Sequence, residues 1–168
     1  SRDSTSPSDD LRDQILRDLS PEDRFLDLID EVETRLDLSE SEARRLLAAL
    51  DDESNWISVP GYDIDLFGFR FVGIEPGPQV EAELAALLRV ARGATFPEHE
   101  HVGREQVFVL QGTLIEDDGE VFDRGELIEH DHETSHTFSV PDDSPDLIGI
   151  VCVEHGLLID GIPLGDVI

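Results

Sequence analysis

A chain of 168 residues is the size of one ordinary domain, or of one domain with an attachment. It buries roughly 70% of its unfolded surface on folding and needs no disulfide staple. It carries 40 Asp and Glu against 12 basic residues, a formal net charge of -28. That excludes nucleic acid as a direct partner and disfavours an anionic membrane surface, since both demand Lys and Arg patches. The hydrophobic fraction of 39% supplies a core and excludes wholesale disorder.

All 12 basic residues are Arg, and the chain contains neither Lys nor Met. An acidic, Lys-free surface fits adaptation to high salt, and a GC-rich genome that writes Arg for Lys gives the same composition. The lack of Met implies a start upstream of Ser1. Cys152 is the one cysteine, so neither an internal disulfide nor a cysteine zinc cluster exists. It lies in the apolar run Leu147–Val153, which predicts an inert buried thiol. No run of 18 apolar residues suits a membrane helix, and the first ten residues lack an apolar signal core. A soluble, cytoplasmic protein is the expectation.

Residues 1–8 read as a disordered lead, and residues 9–50 as three short amphipathic helices. Leu11, Ile15, Leu16 and Leu19 recur at helical spacing behind Asp9 and Asp10. Ser20 and Pro21 form an N-cap and a first-turn proline, with Glu22 and Asp23 at the positive helix end. Phe25, Leu26, Ile29, Val32 and Leu36 make the second stripe. Ser39 and Glu42 are spaced as a capping box ahead of Ala43, Leu46, Leu47 and Leu50. Helices this short do not persist alone, so they dock on the rest of the chain or on a partner.

The pattern changes near residue 54. Trp56, the Pro60-Gly61 turn and the alternation of Ile64 and Leu66 begin a strand-like region. The stretch Glu81–Arg92 has helix propensity, but Gly93 and the residues beyond it favour a strand ending near Arg92. Short strand-like runs follow near 107–110, 113–115, 121–122, 126–128 and 147–153, with turns such as Asp118-Gly119 between them. Many short strands with turn punctuation predict a sandwich or barrel over residues 54–168. The fold class is thus mainly β with an N-terminal α-helical segment.

All six histidines lie after residue 98: His99, His101, His130, His132, His136 and His155. On a strand, His99 and His101 point to one face, and Glu105 shares their parity. Two imidazoles and a carboxylate on an inner face suit a divalent transition metal. A third imidazole must come from elsewhere, and His136 sits behind another strand. His130 and His132 stand near His136 either as supporting or substrate-facing groups or, as acidic surroundings more often mean, on the surface. His155 reads as a surface residue. Glu116-Asp117-Asp118 and Asp142-Asp143 read as solvated turns, without the ligand spacing of a calcium loop.

At these residues the chain resembles the cupin superfamily. The segment Gly93-ATFPE-His99-Glu100-His101-VGR-Glu105-QVFVLQ-Gly112 matches every fixed position of the first cupin motif. The second motif is weaker: Gly125 keeps its glycine, the proline is missing, and His136 follows. The resemblance implies a jelly-roll β-barrel (a double-stranded β-helix) with His99, His101, Glu105 and His136 as ligands of one divalent metal. Zinc is the first expectation, with iron, manganese or nickel as alternatives. Trp56, Pro60 and Gly61 ahead of FPEHEHVGREQVFVLQG and EDDGEVFDRGELI are similar to the cupin domain of ChrR-type anti-sigma factors, over roughly residues 54–153. That likeness implies a sensor or regulator whose partner is a sigma factor and whose barrel answers a small-molecule signal. The chain departs from that pattern at His130-Asp131-His132-Glu133, where the family carries a proline and glycine. Residues 1–50 also contain no His and no Cys, so the family's N-terminal zinc site has no ligands here.

The run Val107–Leu110 is apolar on both faces, so its outer face needs a cover. The N-terminal helices or a second subunit would provide it, and cupins commonly dimerise, which makes a homodimer the expectation. The competing class is a small metal-dependent dioxygenase acting on a diketone or thiol.

Overall fold

The structure is a computed structural model and describes residues 11, 14, 15, 18–58, 68–159 and 161–163. The chain forms two compact units, Ser1–Glu53 and Ser54–Ile168.

In the first unit, Leu11, Gln14, Ile15 and Asp18 are helical. Helix α1 spans Pro21–Arg24, α2 Ile29–Leu36 and α3 Glu40–Ala48, with 3-10 turns at Leu26–Leu28 and Ala49–Asp51. The sequence reads one helix across Phe25–Leu36. The structure breaks it at Phe25, whose carbonyl accepts from the Leu28 amide. The break keeps Phe25, Ile29, Val32 and Leu36 buried while Leu26 stays exposed. Helix α2 stops at Asp37, which adopts the left-handed conformation and returns its amide to Glu33. The expected capping box is present: the Glu42 amide donates to Ser39 Oγ at 3.4 Å, and the Ser39 amide to Glu42 Oε2 at 2.8 Å. Ala43, Leu47 and Leu50 are buried behind it.

The second unit is two antiparallel sheets. Strands β1 (Phe69–Gly73), β2 (Leu84–Val90), β9 (Leu147–Val153), β4 (Glu105–Gln111) and β7 (Leu127–His130) form one, in that order. The other runs β11 (Ile162–Pro163), β10 (Leu157–Ile159), β3 (Thr95–His101), β8 (Ser135–Ser139), β5 (Leu114–Glu116) and β6 (Val121–Phe122). From β2 to β5 and again from β6 to β10 consecutive strands alternate between the sheets, as in a jelly roll, while β1-β2, β5-β6 and β10-β11 pair within one sheet. The strand-like runs named above become β2, β4, β5, β6, β7 and β9. The expected strand at Ile64 and Leu66 lies outside the described residues.

One core fills the space between the sheets. Ala86, Leu88, Val107, Val109 and Val151 come from the first sheet; Phe96, Leu114, Phe138 and Leu157 come from the second. Strands β2 and β9 are buried along nearly their whole length, which explains why Glu81–Arg92 lacks alternation. Phe108, Leu110 and Ile150, on the other face of their sheet, are buried too. Cys152 departs from expectation: it is half-buried rather than buried, on the sheet face opposite the core-facing Val151 and Val153. The motif glycine Gly112 has a φ of +81°, and a Cβ there would meet the Pro145 and Asp146 carbonyls at 2.9 Å. Only glycine fits that corner.

Candidate metal centre

Strand β3 brings the first two histidines inward by an irregular route. Its pairing with β8 shifts by one residue between Phe96 and His99, the bulge holding Pro97 and Glu98. A bulge re-aims side chains, and Pro97 donates no amide, so this is where a proline fits in a strand. Phe96 and His99, three apart, therefore both face the core, and His101 follows two residues on. His136 of β8 is the direct cross-strand partner of His99.

Glu105 arrives differently from expectation. It does not share a strand with the histidines. It opens β4 in the facing sheet, after the turn at residues 102–104, and reaches across the barrel. The parity count holds only because that turn crosses from one sheet to the other.

The four side chains converge. One ligand atom from each of His99, His101, Glu105 and His136 lies within 4.8 Å of the others. All four residues are buried, His101 completely. The hydrogen bonds on the far side of each ring decide which nitrogen faces inward. His99 Nδ1 donates to the Pro97 carbonyl at 2.9 Å. His101 Nδ1 lies 2.9 Å from Thr134 Oγ1, whose own proton goes to the Asp131 carbonyl, so the ring is the donor. His136 Nδ1 donates to Glu116 Oε2 at 2.6 Å. Each ring thus commits Nδ1 outward and turns Nε2 to the centre. His101 Nε2 stands 3.3 Å from Glu105 Oε1 and His136 Nε2 3.8 Å from it, yet both nitrogens are buried without a hydrogen bond. Buried polar nitrogens without partners are rare unless a ligand claims them. Three imidazole nitrogens and one carboxylate are a donor set for a single divalent transition metal.

The charge states match this geometry. Burial drives His99 down to about 4, against the pull of Glu105, so its ring is neutral at physiological pH. Burial pushes the Glu105 carboxyl up, but His101 and His136 outweigh it and hold the group below the usual carboxylate range. Burial likewise opposes the charge on His136, but Glu105 and Glu116 outweigh it and raise the ring to about 9. A proton and a metal ion therefore compete for the same nitrogen.

Two expectations are corrected here. Glu116 is no solvated turn residue. It closes β5 two positions after the buried Leu114, is itself 7% exposed, and bonds His136 and His130. His130 is no surface histidine either. It is paired with Glu105 across β4 and β7, is half-buried, and its ring centroid lies 4.0 Å from that of His136. Asp117 and Asp118 remain exposed in the turn, and so do His132 and His155.

Two antiparallel sheets around a buried three-histidine, one-carboxylate cluster define a cupin. The sequence model of the ChrR Cupin-like domain family matches residues 48–156, and the chain belongs to that family. An RmlC-like cupin protein from Ralstonia eutropha is 25% identical at a TM-score of 0.53, covering 62% of this chain. This chain spans only 65% of that protein's length. An acetylacetone dioxygenase from Acinetobacter johnsonii shares the fold at 14% identity and a TM-score of 0.50, over 67% of this chain and 78% of its own. The anti-sigma ChrR in complex with SigE from Rhodobacter sphaeroides gives 22% identity and a TM-score of 0.47, over 86% and 75% of the two chains. No curated protein matches the chain. Among the described residues, no helix is long and apolar enough to cross a membrane.

Proposed function

We propose that this protein is a metal-binding cupin that acts as a sensor or regulator, with a sigma factor as its regulated partner. His99, His101, Glu105 and His136 hold one divalent metal, and zinc is the metal the donor set suits first. Four protein ligands fill a tetrahedral zinc shell, which fits a structural or sensing site, whereas octahedral iron, manganese or nickel would keep open positions for catalysis. The single observation that carries the reading is the buried trio of outward-bonded imidazoles around Glu105, in a chain of the ChrR Cupin-like domain family. The net charge of -28 steers a basic partner toward the surface, acting on encounter more than on affinity.

Elemental analysis of protein purified without added metal tests the site: one divalent ion per chain is expected. In His101→Ala the content should collapse, because losing one ligand weakens such a site severely. Full occupancy in that variant would remove the assignment. For the regulatory role, the sigma factor should co-purify from the source cell at moderate salt, and recovery should change in His101→Ala. Sustained oxygen consumption by iron-loaded protein with a diketone or thiol, without any sigma factor recovered, would replace the reading with a dioxygenase.

A further inference from the structure

The three imidazoles of the centre are not held alike. His99 leans on a backbone carbonyl and His101 on a hydroxyl, both neutral acceptors. His136 alone leans on a carboxylate, at 2.6 Å, and that carboxylate is buried. Its second oxygen, Glu116 Oε1, takes a further hydrogen bond from His130 Nε2 at 3.1 Å. The bridge His136–Glu116–His130 joins β8, β5 and β7, and so ties the two sheets together beside the centre. The rings pack as well: His130 lies nearly parallel to His101 at 5.2 Å and tilted against His136 at 4.0 Å.

We infer that Glu116 is a positioning residue for the metal centre, clamped by His130, that fixes His136 with Nδ1 protonated and Nε2 directed at the metal. The inference rests on the metal-binding reading above and assigns the work of one residue outside the ligand set. A carboxylate behind a ligating imidazole locks its tautomer and orientation and makes its inner nitrogen a better donor; losing such a support typically weakens metal affinity by about 10–100-fold. The asymmetry of the three supports makes His136 the ligand most dependent on its neighbour. His130 acts one step further out. Its bond occupies Oε1, so that Oε2 stays aimed at His136.

The test compares wild type, Glu116→Ala, Glu116→Gln and His130→Ala for zinc affinity by chelator competition, with circular dichroism as a check on folding. The second readout is the His136 Nδ1–H resonance of the zinc-loaded protein. A ring proton held by a buried carboxylate exchanges slowly and is visible; one facing solvent is not. The expected result is a loss of about 10–100-fold in Glu116→Ala, with the ring-proton signal gone and the fold kept. Glu116→Gln retains an acceptor oxygen without the charge, so it should keep the signal and lose less affinity. His130→Ala should lose least and speed exchange of the same proton. Wild-type affinity with a persistent ring-proton signal in Glu116→Ala would overturn the inference. If Glu116→Ala fails to fold, Glu116→Gln decides: a vanished signal or a loss as large as that of His101→Ala overturns it. Wild type that binds no zinc sinks the metal-binding reading itself, an outcome separate from either.

Discussion

The helical unit and the barrel are held by different kinds of contact. In the helices Arg24 reaches Asp51 at 2.7 Å between distant turns, and other ion pairs are local and partly exposed. Arg35 meets Glu31 and Arg44 meets Glu40 at one-turn spacing, at 2.9 and 2.8 Å. Surface pairs of this kind contribute little. In the barrel the polar contacts that matter are buried and long-range: His101 to Thr134, His136 to Glu116, and Glu105 facing the histidines from the opposite sheet. Every histidine lies in the barrel. The contrast teaches that chemistry sits where strand pairing brings distant segments into a shared interior, while the helices contribute burial and surface. Damage to the two units should therefore read out differently at the metal centre.

The largest effect expected in breaking that separation comes from Phe96. Its ring stacks on Phe138 with centroids 4.9 Å apart and meets His99 edge-on, also at 4.9 Å. Phe96→Ala should cost about 3–5 kcal/mol and, by removing the wall behind His99, weaken metal binding as well. Leu47→Ala in α3 leaves a cavity costing about 2–5 kcal/mol, but the metal content should stand. Urea unfolding and a zinc titration of both variants measure this. Equal metal loss in the two would show that the units are not energetically separate.

pH sharpens the comparison next, since among the described residues the large pKa shifts all belong to the barrel. In chelator-stripped protein the His136 ring is raised to about 9 from its ordinary 6.5. A raised folded-state pKa stabilises fully below 6.5 and loses that contribution as pH climbs through 9. His99, lowered to about 4, acts oppositely: its cost appears as pH falls below 6.5 and is complete below 4. Glu116, lowered to about 2, adds stability above 4.5 that fades as pH falls toward 2. Stripped protein should thus lose stability between pH 6.5 and 9, and His136→Gln should flatten that limb. A melting temperature that rises across this window in the parent protein would contradict the assignment.

Most of the barrel was legible in the sequence because its strands alternate or run apolar, and because the spacing from Gly93 to Gly112 is so regular. Strands β1, β10 and β11 were not anticipated, and two further misses lie at strand ends. The strand read over 113–115 ends one residue early, and the one read over 126–128 two residues early. Extending each by its own alternation carries Leu114 to Glu116 and Ile128 to His130, which turns both polar residues inward. The acidic run Glu116-Asp117-Asp118 hid this, because consecutive carboxylates ordinarily mean solvent. The bulge at Pro97-Glu98 was invisible for another reason: only the register against β8 reveals it. In the helices, hydrophobic spacing located Phe25, Ile29, Val32, Leu36, Ala43, Leu47 and Leu50 as buried, but Leu11, Ile15, Leu19 and Leu26 of the expected stripes are exposed, and the break at Phe25 was missed because a 3-10 turn preserves the spacing.

Salt should separate the units more gently. Residues 51–168 carry 26 acids and 5 Arg, a net of -21, against 14 acids and 7 Arg, a net of -7, in residues 1–50. Screening relieves self-repulsion, and the barrel carries most of it. The melting temperature should climb between low and molar potassium chloride, with near-ultraviolet signals of the barrel shifting further than far-ultraviolet helix signals. A flat or falling trend would mean that favourable pairs, such as Arg89 with Asp146 at 3.2 Å, outweigh the repulsion.

The smallest effect belongs to the capping box. Ser39 Oγ accepts the Glu42 amide at the start of α3, and Glu42 returns the bond to the Ser39 amide. Removing the hydroxyl leaves an amide of the first turn to water, so Ser39→Ala should cost about 1 kcal/mol. Ser39→Asp keeps an acceptor at the positive end of the helix and should recover most of it. Since the loss is confined to a local helix start, hydrogen exchange should quicken in residues 40–48 while amides of β4 and β9 stay protected. Zinc affinity should not move. Faster exchange in β4 in the alanine variant, or any change in the metal, would mean that the helical unit braces the barrel and that the contrast between them is one of composition rather than of energetic independence.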